Sequence, residues 1–317
     1  MSQKRVLITG GAGFIGSHIG RYWAEQGAKV IVLDSLRSGH RQNLEAISGD
    51  LEFVEGCVEN ASMLLELCQR VDVVHHLAAI VSVPESVLKP QLTEVINTQG
   101  TINVLEAARK ASVHRVVFSS TSAVYGPEER PIHDETHAPR PVSPYAVTKL
   151  AGEYWMKYYR EHFGLETVCL RYFNVYGPRQ DPRSAYAAAI AIFADKAKEN
   201  APITIYGDGK QTRDFVFVED VVAANVLAAT AQIVPPMVMN VATSASLTIT
   251  ELAEKVIHFS GSKSLVVYAD PRPGDIVHSR GKSDLLRAQG WAPKVHLDEG
   301  LQRTLASFWA GAERVQP

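Results

Sequence analysis

Arg5-Val6-Leu7-Ile8-Thr9-Gly10-Gly11-Ala12-Gly13-Phe14-Ile15-Gly16 decides the fold. A short unbroken apolar run, bounded by turn residues, reads as a strand buried on both faces. The glycines that follow end that strand tightly, and helical apolar spacing then runs from near Ser17 to Gln26. Glycines at such a turn let backbone N–H groups approach a pyrophosphate at a helix N-terminus. Two spacings fit a dinucleotide site: Gly11, Gly13 and Gly16, or a shifted set at Gly10, Gly13 and Gly16. The next apolar run, Lys29–Asp34, ends in an acid eighteen positions beyond Gly16. A carboxylate there accepts hydrogen bonds from an adenosine ribose and repels a 2′-phosphate, which favours NAD over NADP. The other reading of the same residues is a helix-packing turn beside a strand-end acid.

Outward from this turn the pattern repeats. Leu51–Val54, Val71–Leu77, Arg115–Ser120 and Leu165–Arg171 read as further buried strands, and Thr101–Lys110 and Tyr145–Phe163 carry helical spacing. Strands alternating with helices predict an α/β fold, a doubly wound parallel sheet covered on both faces. After residue 177 the alternation breaks down. Pro178–Ser184, Asp208–Asp214 and Arg272–Asp275 read as polar loops, Ala187–Phe193 as a buried helix, and Val238–Ala242 as a late strand returning to the main sheet. Thr248, with Glu251 three residues on, reads as the N-cap of a helix to about Phe259. The expected plan is a nucleotide-binding domain over 1–177 with a return segment at 214–244. A smaller, discontinuous C-terminal α/β domain over 178–213 and 245–317 would bind substrate.

Composition narrows the function. The chain has 317 residues, with 32 Lys+Arg against 34 Asp+Glu, a formal net charge of −2. That balance removes the generic case for a nucleic-acid partner. The longest apolar run, Ala185–Ala194, is far short of a membrane span. Residues 1–20 lead into a strand and a glycine turn rather than a signal peptide. Cys57, Cys68 and Cys169 are scattered without metal-ligand spacing, which fits a reduced, cytoplasmic protein with no catalytic metal. His75, His76 and His114 read as packed or strand-end residues, and Trp291 and Trp309 as packing residues.

Tyr145 and Lys149 stand four apart, on one face of a helix. A free phenol with a pKa of about 10 is a poor base at neutral pH, and lowering it by ~3 units takes ~4 kcal/mol. An ammonium and a nicotinamide cation nearby would favour the phenolate. Ser119-Ser120-Thr121-Ser122 falls at the carboxyl end of a predicted strand, where such sheets bind ligands. One of these hydroxyls can bond a substrate oxygen while Tyr145 moves the proton.

With these residues the chain resembles the extended short-chain dehydrogenase/reductase family, in its UDP-sugar 4-epimerase branch (UDP-glucose or UDP-N-acetylglucosamine). The resemblance runs through Thr9–Gly16, Asp34, His76–Ala79, Asn97, Ser119–Gly126, Ser143–Lys149, Arg171–Gly177, Arg213–Phe215 and Arg272–Asp275. It implies a Rossmann-like domain holding NAD, a UDP-sugar substrate and a homodimer paired through helices near 100–110 and 145–163. It implies cofactor contacts at Gly10, Gly13, Phe14, Ile15, Gly16, Asp34, Ser38, Gly39, Cys57, Val58, Leu77, Ala78, Ala79, Asn97, Ser119, Tyr145, Lys149, Tyr172 and Phe173. Tyr145 would be the acid/base, Lys149 its partner and Thr121 the second hydroxyl. Substrate contacts would come from Thr121, Ser122, Tyr145, Asn174, Ala188, Tyr206, Arg213, Phe215, Arg272, Asp275 and Ser279.

Two positions depart from the family pattern. Cys57 stands where relatives have an Asp that accepts from the adenine amine, and Val81 where some have a lysine. Related 4,6-dehydratases carry Asp and Glu at the positions of Ser122 and Ala123, and decarboxylating relatives keep the Glu. Without those acids, reversible oxidation at C4 remains. Ser279, a small residue at the family's gate position, leaves room for an N-acetyl group. The reading is therefore C4 inversion of UDP-GlcNAc/UDP-GalNAc and UDP-Glc/UDP-Gal. UDP-Glc/UDP-Gal alone, UDP-glucuronic acid, a net sugar oxidoreductase and a non-enzymatic NAD-binding regulator stay open as alternatives.

Overall fold

The computed structural model describes residues 3–127, 132–181, 189–232, 236–271 and 278–310. Strands β1 (Arg5–Thr9), β2 (Lys29–Asp34), β3 (Leu51–Glu55), β4 (Val73–His76), β5 (Arg115–Thr121) and β6 (Glu166–Tyr172) fall where the apolar runs predict them. Next come β7 (Asn174–Tyr176), β8 (Ile203–Tyr206), β9 (Thr212–Arg213), β10 (Phe215–Phe217) and β11 (Val238–Val241). The last three are β12 (Leu247–Thr248), β13 (Val266–Ala269) and β14 (His278–Ser279). One seven-stranded sheet, all parallel, has the order β11-β6-β5-β4-β1-β2-β3. β11 is the returning strand that Val238–Ala242 predicts.

Alternate residues explain the two covered faces. Val6, Ile8, Val30 and Val32 enter one apolar cluster, with helices Phe14–Glu25 and Val218–Thr230 over them. Leu7, Ile31, Val74 and Phe118 enter the other, against helices Ala61–Cys68, Gly100–Lys110 and Pro144–Phe163. Each such side chain removed from water contributes roughly 1.5–3 kcal/mol. A third cluster, with Ile190, Phe193, Ile203, Leu252 and Leu301, holds the C-terminal elements together.

Several boundaries differ from the sequence reading for local reasons. The first helix starts at Phe14, directly after its N-cap Gly13, which provides no side-chain cap. A π-turn over Val95–Gln99 precedes helix Gly100–Lys110. The polar stretch 208–214 is not wholly loop: Thr212–Arg213 forms β9, paired with β12 and β14. Thr248 caps helix Ile249–Ser260 through a full capping box with Glu251. Among the described residues, no helix is long and apolar enough to cross a membrane. Arg272–Asp275 and Ala188 lie outside the described residues.

Candidate active site

The strand order reverses between β1 and β4, and ligands in open parallel sheets bind at the carboxyl ends beside such a reversal. A cleft of ≈ 900 Å³ opens there. Its floor is the glycine turn. Gly10 has a φ of +71°, and a Cβ on it would stand 2.7 Å from the Ala78 nitrogen, where the chain leaves β4. A Cβ on Gly16 would collide with the Gly10 carbonyl oxygen, whereas one on Gly13 would come only to 3.2 Å from that oxygen. Gly10, Gly13 and Gly16 line the cleft. A Cβ on Gly11 would instead meet Val32 at 2.8 Å, in the core. Of the two spacings, the shifted one faces the cleft.

Asp34 ends β2 beneath the cleft wall. Its Oδ2 accepts from the Ala12 N–H at 2.9 Å and its Oδ1 from the Leu36 N–H at 2.8 Å. A carboxylate has about four lone-pair sites, so two more hydrogen bonds can be accepted. Gly39 packs on this group: a Cβ there would stand 2.8 Å from Oδ2. Ser38, Cys57, Val58, Leu77, Ala78 and Ala79 line the same half of the cleft. The cradle of small residues and the acid at the β2 end fit a dinucleotide.

Asn97 does not line the cleft. It is buried, its Oδ1 accepts from the Ile80 N–H at 2.7 Å, and its Nδ2 donates to the Ile80 carbonyl and to Thr148 Oγ1, both at 3.0 Å. It therefore ties the loop after β4 to the helix of Tyr145 and Lys149. His76 works in the same layer. Thr101 donates to the Asn97 carbonyl, so the hydroxyl accepts from His76 Nε2–H, and His76 Nδ1 accepts from Thr9. Burial keeps this imidazole neutral, with its pKa down at about 3.

Tyr145, Lys149 and Thr121 form one wall of the cleft. Ser143 caps the helix and Pro144 occupies its first turn, so Tyr145 sits at the helix start, its N–H donating to Ser86 Oγ at 3.1 Å. Gly152 lets that helix lie close on Phe118, since a Cβ would stand 2.6 Å from the ring. Lys149 Nζ lies 4.7 Å from the centre of that ring and donates to the Ser119 carbonyl at 2.8 Å. Burial lowers the Lys149 amine to about 7. Burial also pushes the Tyr145 phenol up, and the Thr121 hydroxyl opposes that rise. Desolvation therefore dominates at the phenol, and positive charge brought beside it would be needed to favour the phenolate.

The hydroxyls at the end of β5 are already divided among partners. Ser119 Oγ bonds Tyr172 OH at 3.0 Å, and Ser120 Oγ donates to Glu153 at 2.5 Å. Ser122 does not line the cleft, while Thr121 does. Tyr172 and Phe173 line the cleft with Phe14 and Ile15. The described carboxylates lining it are Asp34, Glu59 and Asp181, none of them on the loop after β5.

The residues expected to contact substrate fall on short paired strands, and Asn174, Tyr206, Arg213, Phe215 and Ser279 do not line the cleft. Asn174 pairs with Phe215 between β7 and β10, and Arg213 with Ser279 between β9 and β14. Asn174 Nδ2 donates to the Asp214 carbonyl at 3.0 Å. Ser279 is buried, and Tyr206 is exposed at the end of β8. Ala188, Arg272 and Asp275 are among the residues not described.

Sequence reasoning missed Arg37, His40, Gln180 and Asp181 as cleft residues. Arg37 pairs with Glu85 at 2.6 Å and His40 with Asp181 at 3.8 Å. The only available signal was their place in loops beside the glycine turn and after β7. Among the described residues, no group of three or more His, Cys, Asp or Glu side chains could hold a metal ion.

A model of the NAD dependent epimerase/dehydratase family matches residues 6–242. The chain belongs to this family. A UDP-glucose 4-epimerase of Mycolicibacterium smegmatis is 37% identical over 311 residues, 96% of this chain and 98% of that one. Two solved structures are similar along nearly their whole length. One is a UDP-N-acetylglucosamine 4-epimerase of Methanobrevibacter ruminantium in complex with UDP-N-acetylmuramic acid. It has a TM-score of 0.93 and 37% identity, with 98% of this chain and 100% of that one covered. The other is a Thermus thermophilus UDP-glucose 4-epimerase in complex with NAD. It has a TM-score of 0.88 and 39% identity, with 96% and 99% covered. As a family member the protein is an NAD-dependent epimerase with a Rossmann-like fold, in agreement with the cleft its glycine turn and Asp34 build.

Proposed function

We propose that the protein is a UDP-sugar 4-epimerase that accepts UDP-GlcNAc/UDP-GalNAc as well as UDP-Glc/UDP-Gal. The observation that carries the reading is the wall formed by Tyr145, Thr121 and Lys149, with Ser122 and Ala123 where an eliminating enzyme needs acids. The names of the similar proteins support the nucleotide-sugar class.

Gly10, Gly13, Gly16 and Asp34 would hold NAD, which when bound would supply a hydride acceptor and, later in the same turnover, the donor. Tyr145 takes the proton from the sugar O4 as C4 is oxidised, and Thr121 holds that oxygen. Lys149 would hold the nicotinamide ribose and bring a positive charge beside the phenol. The 4-keto sugar then turns about its link to the diphosphate, and Tyr145 returns a proton to O4 on the opposite face. Asn174, Arg213 and Arg272 would anchor the diphosphate, where guanidinium groups match phosphate oxygens. Asp275, Tyr206 and Phe215 would hold the uridine end, and Ala188 the sugar. Ser279 would leave space for the N-acetyl group.

In this reading residues 1–177 with 214–244 hold the cofactor, and 178–213 with 245–317 the UDP-sugar. Val147, Tyr154 and Tyr158 stay exposed along one stripe of helix Pro144–Phe163. We assign that stripe to pairing with a second copy of the chain. The three unpaired cysteines support a cytoplasmic setting.

The test is product analysis on UDP-Glc, UDP-GlcNAc and UDP-GlcA in parallel, with wild type and Tyr145→Phe. The reading expects UDP-Gal and UDP-GalNAc from wild type and a near-complete loss in the variant. Activity on UDP-Glc alone would remove the N-acetyl assignment. Inversion of UDP-GlcA only would move the enzyme to the uronic branch.

A further inference from the structure

Behind the reacting wall lies a buried charge pair that the mechanism above does not use. Glu153 stands on the same helix as Lys149, one turn further on, and is buried with its partner Arg171 on β6. Arg171 Nε donates to Glu153 Oε1 at 2.8 Å and Nη2 to Oε2 at 2.6 Å. The Oε1 atom also accepts from Ser120 at 2.5 Å. The guanidinium lies 4.8 Å from the centre of the Tyr125 ring, and Tyr125 closes the turn that begins at Thr121. One carboxylate therefore touches the strand end that presents the reacting hydroxyl, and its helix presents the lysine.

We infer that Glu153 is a positioning residue for the reaction: it fixes Ser120, and through it the strand end bearing Thr121, and its negative charge keeps Lys149 in the ammonium form. The inference rests on the function proposed above, because it assigns Glu153 to the Tyr145–Lys149–Thr121 wall.

The groups facing Lys149 make the electrostatic half of the argument. β5 offers the Ser119 carbonyl and the Phe118 ring, and β4 offers His76, which burial holds neutral. β6 offers Cys169, whose thiol burial pushes well above its ordinary value, so it carries no charge near neutral pH. From its own helix come Tyr145 and Glu153. Of these groups, Glu153 alone is a carboxylate. Desolvation pulls the Lys149 proton off, and Glu153 opposes it. Arg171 binds the same carboxylate from β6 and offsets part of this charge.

The experiment follows kcat/KM against pH for a UDP-hexose, together with thermal unfolding and NAD content. Glu153→Gln is expected to move the alkaline limb down by about one unit, since the ammonium is lost sooner when its anion is removed. Glu153→Asp, which keeps the charge, is expected to retain the wild-type limb with a lower kcat. The single Gln variant leaves Arg171 buried without a counter-charge, a strongly destabilising change. A Glu153→Met/Arg171→Met pair removes both charges, and apolar replacement of a buried pair is often neutral for folding. The double variant is expected to fold and to show a smaller downward shift than Glu153→Gln. A folded variant whose profile is scaled down evenly, with the limb unmoved, overturns the inference, as does failure of both variants to fold. A readout independent of turnover is the titration of the Lys149 ammonium by ¹⁵N NMR, assigned with Lys149→Met. If wild type lacks epimerase activity while that titration still moves in Glu153→Gln, the functional reading fails and the electrostatic link stands. If wild type is active and the titration does not move, the reverse holds.

Discussion

Three alanine substitutions in one turn separate cofactor binding from folding. Gly13 has an ordinary extended backbone, φ −74° and ψ 178°, which alanine adopts without strain. A methyl group there meets only the Gly10 oxygen at 3.2 Å, but it projects from a residue lining the cleft. Folding should be little changed, because the small shift asked of the Gly10 carbonyl offsets the gain of about 0.4–1 kcal/mol from the stiffer unfolded chain. The methyl keeps the pyrophosphate from the N–H groups at the helix start. A hydrogen bond to a charged group is worth about 1.5–3 kcal/mol, so losing one lowers NAD affinity roughly 10–100-fold. Gly16→Ala differs: its methyl lands on the Gly10 carbonyl, which backbone must move to accommodate. Overpacking of that kind costs about 1–3 kcal/mol, so both stability and cofactor should be lost. Gly11→Ala presses on Val32 in the core and should cost stability first. The assay is urea unfolding beside NAD content of the purified variants and NAD titration of the stripped protein. Gly13→Ala with wild-type NAD affinity, or Gly16→Ala as stable as wild type, would refute the reasoning.

Other consequences can be checked alongside. Thr121→Val keeps the volume and removes the hydroxyl opposite Tyr145; kcat should fall about 10²-fold with NAD content intact, by coupled assay and absorbance. Asn97→Ala frees the Ile80 backbone and Thr148, and should cost about 2–3 kcal/mol in urea unfolding while weakening NAD retention. His75 and His76 are buried neutral, with folded values down at about 4 and about 3 against 6.5 unfolded. The unfolded chain binds more protons between those values, so their stabilisation is complete above pH 6.5 and is lost as pH falls below it. From pH 6.5 to 5.5 the two together should remove about 2 kcal/mol, read as a lower urea midpoint.

The parallel sheet was legible because its strands are buried on both faces and so read as unbroken apolar runs, as at Lys29–Asp34. The capping box at Thr248 was legible because its chemistry is local. The short strands β9 and β14 were not, since two-residue strands take their identity from partners far away in the chain. At the site, Tyr145, Lys149 and Thr121 stand where their spacing and strand-end position put them. The choice between Gly10 and Gly11 was not legible, because it depends on whether a glycine meets Ala78 or Val32. The work of Asn97 and Glu153 was hidden for a related reason. Each is a polar residue inside a helical stretch, and only its partners on other elements give it a role. The direction of the Tyr145 shift also required the structure, because burial competes with charge and sequence carries no measure of burial.

The most direct test of the account uses a UDP-hexose carrying deuterium at C4, incubated with the purified protein and no added cofactor. The account predicts a product inverted at C4 that retains the deuterium on that carbon, and no such product with Tyr145→Phe. An inverted product whose deuterium has passed to water, or full activity in the phenylalanine variant, would contradict it.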